Sequence, residues 1–183
     1  SIPSSIKSIE NDAFAQFVKL KHIIIPSSIK SIGNNAFNGC SSLEEITIDP
    51  YSTKIDQNAF KQCTSLKHLI IPQTVTSIQK FDFSKIGQIK KITLPTSIKT
   101  ICDESFSNMN SLEEISIPTS VTTIGNNVFN RCSSLKEISI PTSVTTIGDN
   151  VFNGCSSLKE ISIPASVTSI GNNLFTGTSS LQK

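Results

Sequence analysis

Phe14, Phe37, Phe60, Phe83, Phe106, Phe129, Phe152 and Phe175 stand 23 residues apart, without one insertion or deletion. Ile9, Ile32, Ile55, Ile78, Ile101, Ile124, Ile147 and Ile170 keep the same step. A fixed period of this length marks a solenoid, in which each repeat is one coil stacked on the last. One coil cannot bury its apolar side alone, so the coils must share a core. Residues 1–183 therefore read as a single array of about eight coils with no internal domain boundary.

The coil that begins at Leu135 shows how each position is used. Leu135, Ile138 and Ile140 form a short alternating run, with Ile138 and Ile140 on one face and Glu137 and Ser139 on the other. Pro141 cannot donate to a sheet ladder and ends that strand. Val144 to Ile147 is rich in β-branched residues and predicts a second short strand. Gly148 marks a turn. Asp149 and Asn150 suit the start of a short helical turn, where a side-chain oxygen can accept an orphan amide hydrogen. Phe152 and Cys155, three apart, face inward from that turn. Two inward strand columns are apolar in every coil, one running from Ile23 to Ile161 and the other from Ile25 to Ile163.

Composition excludes several functions. A net charge of +2 is too small for a nucleic-acid surface. No apolar run approaches the roughly 20 residues of a membrane helix. No signal segment opens the chain. Ser1-Ile2-Pro3 reads as the tail of a strand and Leu181-Gln182-Lys183 as the start of another coil. The sequence thus reads as a piece of a longer array without caps, whose signal or anchor would lie outside it. Such ends could stack on a second copy through Ile2 and Leu181.

The run Leu-x-x-Ile-x-Ile-Pro-x-Ser-Val-Thr-x-Ile-Gly-x-x-x-Phe-x-x-Cys-Ser-Ser recurs best at 112–134, 135–157 and 158–180. It resembles the BspA-like leucine-rich repeat family, and the resemblance covers the whole chain. It implies a right-handed, curved leucine-rich-repeat solenoid with its parallel sheet on the concave side, mainly β with short strands and short helical turns. It also implies surface proteins of bacteria and protists that mediate adhesion and protein recognition. Fold follows from such a likeness more firmly than function does.

Two coils depart from the pattern. Asp49 stands where proline recurs and Ser52 where valine or isoleucine recurs, beside Tyr51, the one tyrosine. Gln79-Lys80-Phe81-Asp82-Phe83 replaces the Gly-Asn-Asn run, and Ile86 replaces cysteine. Drift in a tolerant array accounts for both. An exposed Tyr51 would instead offer an anchor to a partner.

The chemistry-bearing residues are sparse. Cys40, Cys63, Cys132 and Cys155 share one column with Phe17, Ile86, Met109 and Thr178. Mostly apolar replacements mark a core position, where cysteine acts as a small hydrophobe. Adjacent coils would bring these thiols close enough for a disulfide in principle, but no spacing resembles a zinc site. Cys102 falls in the glycine column and reads as a partly exposed thiol. His22 and His68 flank Glu45 on the outward face, about 10 Å apart in total, too far to share one metal without strain. No nucleophile pairs with a base in a recognisable motif, so the chain reads as non-enzymatic, with no cofactor and no metal.

The best candidate for binding is the outward strand face. Its first column is His22, Glu45, His68, Lys91, Glu114, Glu137 and Glu160, and its second is Ile24, Thr47, Ile70, Thr93, Ser116, Ser139 and Ser162. Ile24 and Ile70 read as exposed apolar residues on the usual docking face of a solenoid. The face predicts a recognition or adhesion module for protein or glycoprotein partners, placed at the cell surface by the family resemblance. An intracellular scaffold or signalling adaptor, and a passive spacer displaying another domain, are the alternatives.

Overall fold

A computed structural model describes residues 2–51, 53–56, 58–81, 83–86 and 88–182. Ser1, Ser52, Asp82 and Lys183, on which some of the sequence readings fall, lie outside the described residues. The chain divides into two compact units, residues 1–74 with 82–89 and residues 75–81 with 90–183. Each is a stretch of parallel β-solenoid.

In the first unit, β1 (Ser8–Ile9), β3 (Ser31–Ile32) and β5 (Lys54–Ile55) form one parallel sheet. The longer strands β2 (His22–Ile24), β4 (Glu45–Thr47) and β6 (His68–Ile70) pair in parallel beside them. In the second unit, β7 (Ser77–Ile78), β9 (Thr100–Ile101), β11 (Thr123–Ile124), β12 (Thr146–Ile147) and β13 (Ser169–Ile170) make the short-strand sheet. There β8 (Lys91–Thr93) pairs with β10 (Glu114–Ser116). Partners in these pairs are 23 residues apart, as in Ser8↔Ser31 and Glu114↔Lys91. The sequence period is therefore the register of the sheets.

The repeated apolar positions form the core. Phe37, Phe106, Phe129 and Phe152 are fully buried. Their rings stack coil on coil, at 5.2 Å for Phe14–Phe37 and 5.1 Å for Phe37–Phe60 in the first unit. In the second unit the spacing is 5.6 Å for Phe106–Phe129 and 5.7 Å for Phe129–Phe152. These separations suit aromatic stacking and match the step of the sheet. The Cys40, Cys63, Cys132 and Cys155 thiols lie beside this stack. Each Sγ donates to the carbonyl of a phenylalanine in the preceding coil, at 3.1–3.2 Å. Burial pushes the Cys63 and Cys155 pKa up to about 12 and raises those of Cys40 and Cys132 as well. All five cysteines, the half-buried Cys102 included, are free thiols.

The expected helical turns are not helices. Among the described residues only Phe83–Ile86 forms a short 3-10 turn. In six coils two positions hold positive φ, for example Asn35 (55°) with Gly39 (74°), and Asn150 (55°) with Gly154 (75°). The left-handed residues turn alternate amides along the solenoid axis. Phe37 N–H then donates to Ala59 at 2.8 Å and Gly39 N–H to Lys61 at 2.9 Å, both in the next coil. Asparagine and glycine are the residues that tolerate this conformation best.

The Asp/Asn positions also act between coils rather than within one. Asp149 N–H donates to Asn126 Oδ1 at 2.8 Å, and Asn172 N–H to Asp149 Oδ1 at 2.6 Å. Gly148 has no positive φ; it is small because a Cβ there would sit 2.6 Å from Asn126 Oδ1 and 2.7 Å from the Gly125 carbonyl carbon. Cys102 occupies the same column, and Lys80, the residue that follows its column neighbour in the preceding coil, pairs with Glu104.

The divergent coil around Asp49 keeps its hydrogen bonds by substitution. In three coils a serine hydroxyl donates to the preceding coil, as Ser97 does to Val75 at 2.6 Å and Ser143 to Val121 at 2.6 Å. Tyr51 holds that serine position. The buried Thr53 hydroxyl instead donates to the Ile29 carbonyl at 3.1 Å.

Candidate partner-binding face

Strand alternation presents the predicted residues. In the first unit Ile46 and Leu69 are fully buried, while Glu45, Thr47 and His68 on either side are half-buried. His22 and Ile24 are exposed on β2, the edge strand, where Ile24 keeps 65% of its surface. Ile70 differs from expectation. It is half-buried, with Thr47 of β4 directly beside it. Tyr51 is not an exposed anchor either. It is half-buried with its hydroxyl oxygen buried, and its amide donates to Asp49 Oδ1 at 2.9 Å in a tight turn.

On this face of the first unit a carboxylate stands between two imidazoles. His68 Nδ1 lies 2.8 Å from Glu45 and His22 Nδ1 lies 3.9 Å from the same carboxylate. The first unit also carries an apolar hollow of about 670 Å³ lined by Ile6, Phe14, Phe17, His22 and Ile24. There the Phe14 ring has Phe37 stacked on one face and the edge of Phe17 at 5.7 Å.

In the second unit Lys91 is half-buried, and Thr93, Glu114, Ser116, Glu137, Ser139, Glu160 and Ser162 are exposed. Lys91 Nζ pairs with Glu114 at 2.6 Å. The next two coils were expected to continue the long strands over Ile138–Ile140 and Ile161–Ile163. They do not: an isolated bridge, Glu137↔Glu160, remains there. Like charges directly opposite each other in a ladder are destabilising, and here glutamate faces glutamate. Where the ladder fades, a hollow of about 840 Å³ opens over Glu114, Glu137 and Glu160. It gathers six of the predicted face residues, those three and Ser116, Ser139 and Ser162.

The sequence reading missed the neighbouring column. Glu113 sits between Lys90 and Lys136, each at 2.5 Å. The Lys136 and Lys90 hydrogen bonds hold its carboxyl down to about 2. Lys90, Glu113 and Lys136 are 23 apart, so the sign alternation is present in the sequence. Among the described residues, no group of three or more His, Cys, Asp or Glu side chains could hold a metal ion. No helix among them is long and apolar enough to cross a membrane.

Six copies of a repeat described as a BspA type leucine rich repeat region match residues 1–86 and 53–182. The chain belongs to the BspA-type leucine-rich repeat family. Leucine-rich repeat proteins are in general protein-interaction modules and typically not enzymes. The T. pallidum leucine-rich repeat protein TpLRR is 28% identical with a TM-score of 0.58, over 100% of this chain and 77% of that one. The pneumococcal vaccine antigen PcpA is 25% identical with a TM-score of 0.55, over 97% of this chain and 53% of that one. A leucine-rich repeat protein from Bacteroides ovatus is 30% identical with a TM-score of 0.46, over 99% of this chain and 58% of that one. The BspA-type chain thus spans little more than half the length of two of these relatives. No curated protein matches it.

Proposed function

We propose that this BspA-type array is a non-enzymatic recognition module that binds protein or glycoprotein partners through the outward face of its long strands, displayed at a cell surface. The observation that carries this reading is the division of labour within each strand. Ile92 and Ile115 are buried, while Thr93, Glu114 and Ser116 beside them are exposed. The face can therefore change its chemistry without disturbing the core, which is what lets one solenoid serve many ligands. A surface setting is supported by the likeness to a pneumococcal vaccine antigen.

The test is capture of partners from extracellular-matrix proteins and host-cell surfaces, with parallel capture by two variants. One carries His22→Ala and Ile24→Ser on the first unit's face. The other carries Ser116→Arg and Ser139→Arg on the second unit's face. Loss of a captured partner by either variant, with an unchanged unfolding curve, supports the reading. Equal capture by both variants overturns it. The free thiols favour one second reading, a scaffold in a reducing compartment; capture of cytosolic proteins alone would select it.

A further inference from the structure

We infer that the hollow over the last coils of the second unit docks an extended, basic polypeptide segment. This inference rests on the recognition reading above and gives its partner a chemistry.

Three observations meet at this place. The first is shape. The hollow of about 840 Å³ has an apolar floor and wall that include Ile117, Ile140, Pro164 and Ala165, with Thr142 beside them. A purely electrostatic patch would not need such a surface, whereas the aliphatic stems of lysine and arginine bury well against one.

The second is charge. Glu114, Glu137 and Glu160 stand in one column along the hollow, about 4.8 Å from coil to coil. Lys91 already pairs with Glu114. Lys136 is taken by Glu113 in the neighbouring column. Lys159, next to Glu160, does not line the hollow. Glu137 therefore presents a carboxylate that no basic side chain among the described residues answers, and Glu160 extends the column by one coil, Lys183 at the next register position lying outside the described residues. The chain as a whole is slightly basic, at +2. A cationic segment is drawn to this spot by the local field and not by net charge.

The third is the interrupted ladder. The long-strand pairing seen between β8 and β10 shrinks to the single bridge Glu137↔Glu160 where two glutamates face each other. Cations at alternate positions of an extended segment are about 7 Å apart. Flexible lysine or arginine side chains at that spacing reach adjacent carboxylates of the column. The Ser116, Ser139 and Ser162 hydroxyls, which can donate or accept, lie beside them for the segment's backbone. Neutralising the glutamates removes the repulsion, so the bound segment tightens the coils on which it lies.

The probe is a fluorescent decapeptide of alternating lysine and threonine, with an alternating glutamate–threonine peptide as control. Anisotropy is followed at low salt and at 0.3 M salt, and amide exchange of residues 137–140 and 160–163 is followed with and without peptide. The lysine peptide should bind, the glutamate peptide should not, and the Glu137→Gln/Glu160→Gln variant should bind at least tenfold more weakly. Amide exchange of those residues should slow on binding. Glu44→Gln, on the first unit, should leave binding unchanged. Equal binding by the Glu137→Gln/Glu160→Gln variant, equal binding of the glutamate peptide, or unchanged exchange would each overturn the inference. No binding of the lysine peptide would overturn it as well. The recognition reading would survive that result if the face variants still lost their captured partner.

Discussion

The long strands of the first unit stay paired through β2, β4 and β6, whereas those of the second unit stop pairing after β10. Both regions have the same 23-residue period and the same buried isoleucine columns. What differs is the outward column. In the first unit it runs His22, Glu45, His68, and the glutamate has a histidine on each side. In the second it begins with the Lys91–Glu114 pair and then repeats glutamate. The long-strand pairing is thus continuous where outward neighbours differ in kind and fades where glutamate repeats, over the same buried columns.

The largest effect should come from the core, which both regions share. Phe129→Ala removes a fully buried ring that has a stacked neighbour on each side, and should cost about 3–5 kcal/mol. Phe14→Ala, on a ring that is half-buried with one stacked neighbour, should cost less than half as much. Urea unfolding of the two variants measures this. Equal losses would mean that the stack does not carry stability in proportion to burial.

Next comes the contact between coils at the glycine column. Gly148→Ala places a methyl group 2.6 Å from Asn126 Oδ1 and 2.7 Å from the Gly125 backbone, so the coils must part. Such overpacking costs about 1–3 kcal/mol. Cys102→Gly in the same column should be far milder. A thermal melt of each variant would expose the opposite ranking, which would mean that the column selects glycine for something other than space.

Hydroxyl bonds between coils allow a direct comparison of an irregular coil with a regular one. Thr53→Val in the first unit leaves the Ile29 carbonyl without its donor, and Ser143→Ala in the second does the same to Val121. Each should cost about 1 kcal/mol. A negligible loss for Thr53→Val alone would show that the divergent coil does not depend on its replacement bond.

The core of this fold was legible because the period itself aligns the coils. A step of 23 residues puts each recurring phenylalanine and isoleucine into its column from the sequence alone. Turn geometry was less legible. Asn150 suggests the start of a helical turn, yet it holds positive φ and its amide donates to Asn172 in the next coil. A capping motif and an intercoil turn use the same residue types, and only the stacking distinguishes them. Tyr51 misled for a related reason. An unusual residue in a surface turn looks exposed until the Asp49 turn beside it is built. The hollow over Glu137 was invisible because no outward position reveals it singly; it shows only when Glu137 is set against Glu114 and Glu160, the residues 23 away.

The link between like sign and lost pairing is tested by changing the sign. Glu137→Lys would sit between Glu114 and Glu160 and restore alternation. It should stabilise the second unit by about 0.2–1 kcal/mol and slow amide exchange at Ile138–Ile140. In the first unit, Glu45→Lys should do the reverse, since it places a cation between His22 and His68. If Glu137→Lys leaves exchange unchanged, the ladder fades for reasons of backbone geometry and not of charge.

The smallest effect is also the most specific to pH. Lys136 and Lys90 hold the Glu113 carboxyl at about 2, well below the ordinary carboxylate range. The folded state therefore gives up this proton more readily than the unfolded chain does. The contribution is complete above the ordinary carboxylate pKa of about 4.3 and is lost as pH falls from there towards 2. The Glu113 carboxylate reaches solvent, so salt should weaken the effect. Stability of the parent measured between pH 5 and pH 2 should fall more steeply than that of Glu113→Gln, and the gap should narrow in 1 M salt. Parallel curves would show that the Lys90–Glu113–Lys136 alternation, unlike the one proposed for the outward face, holds nothing together.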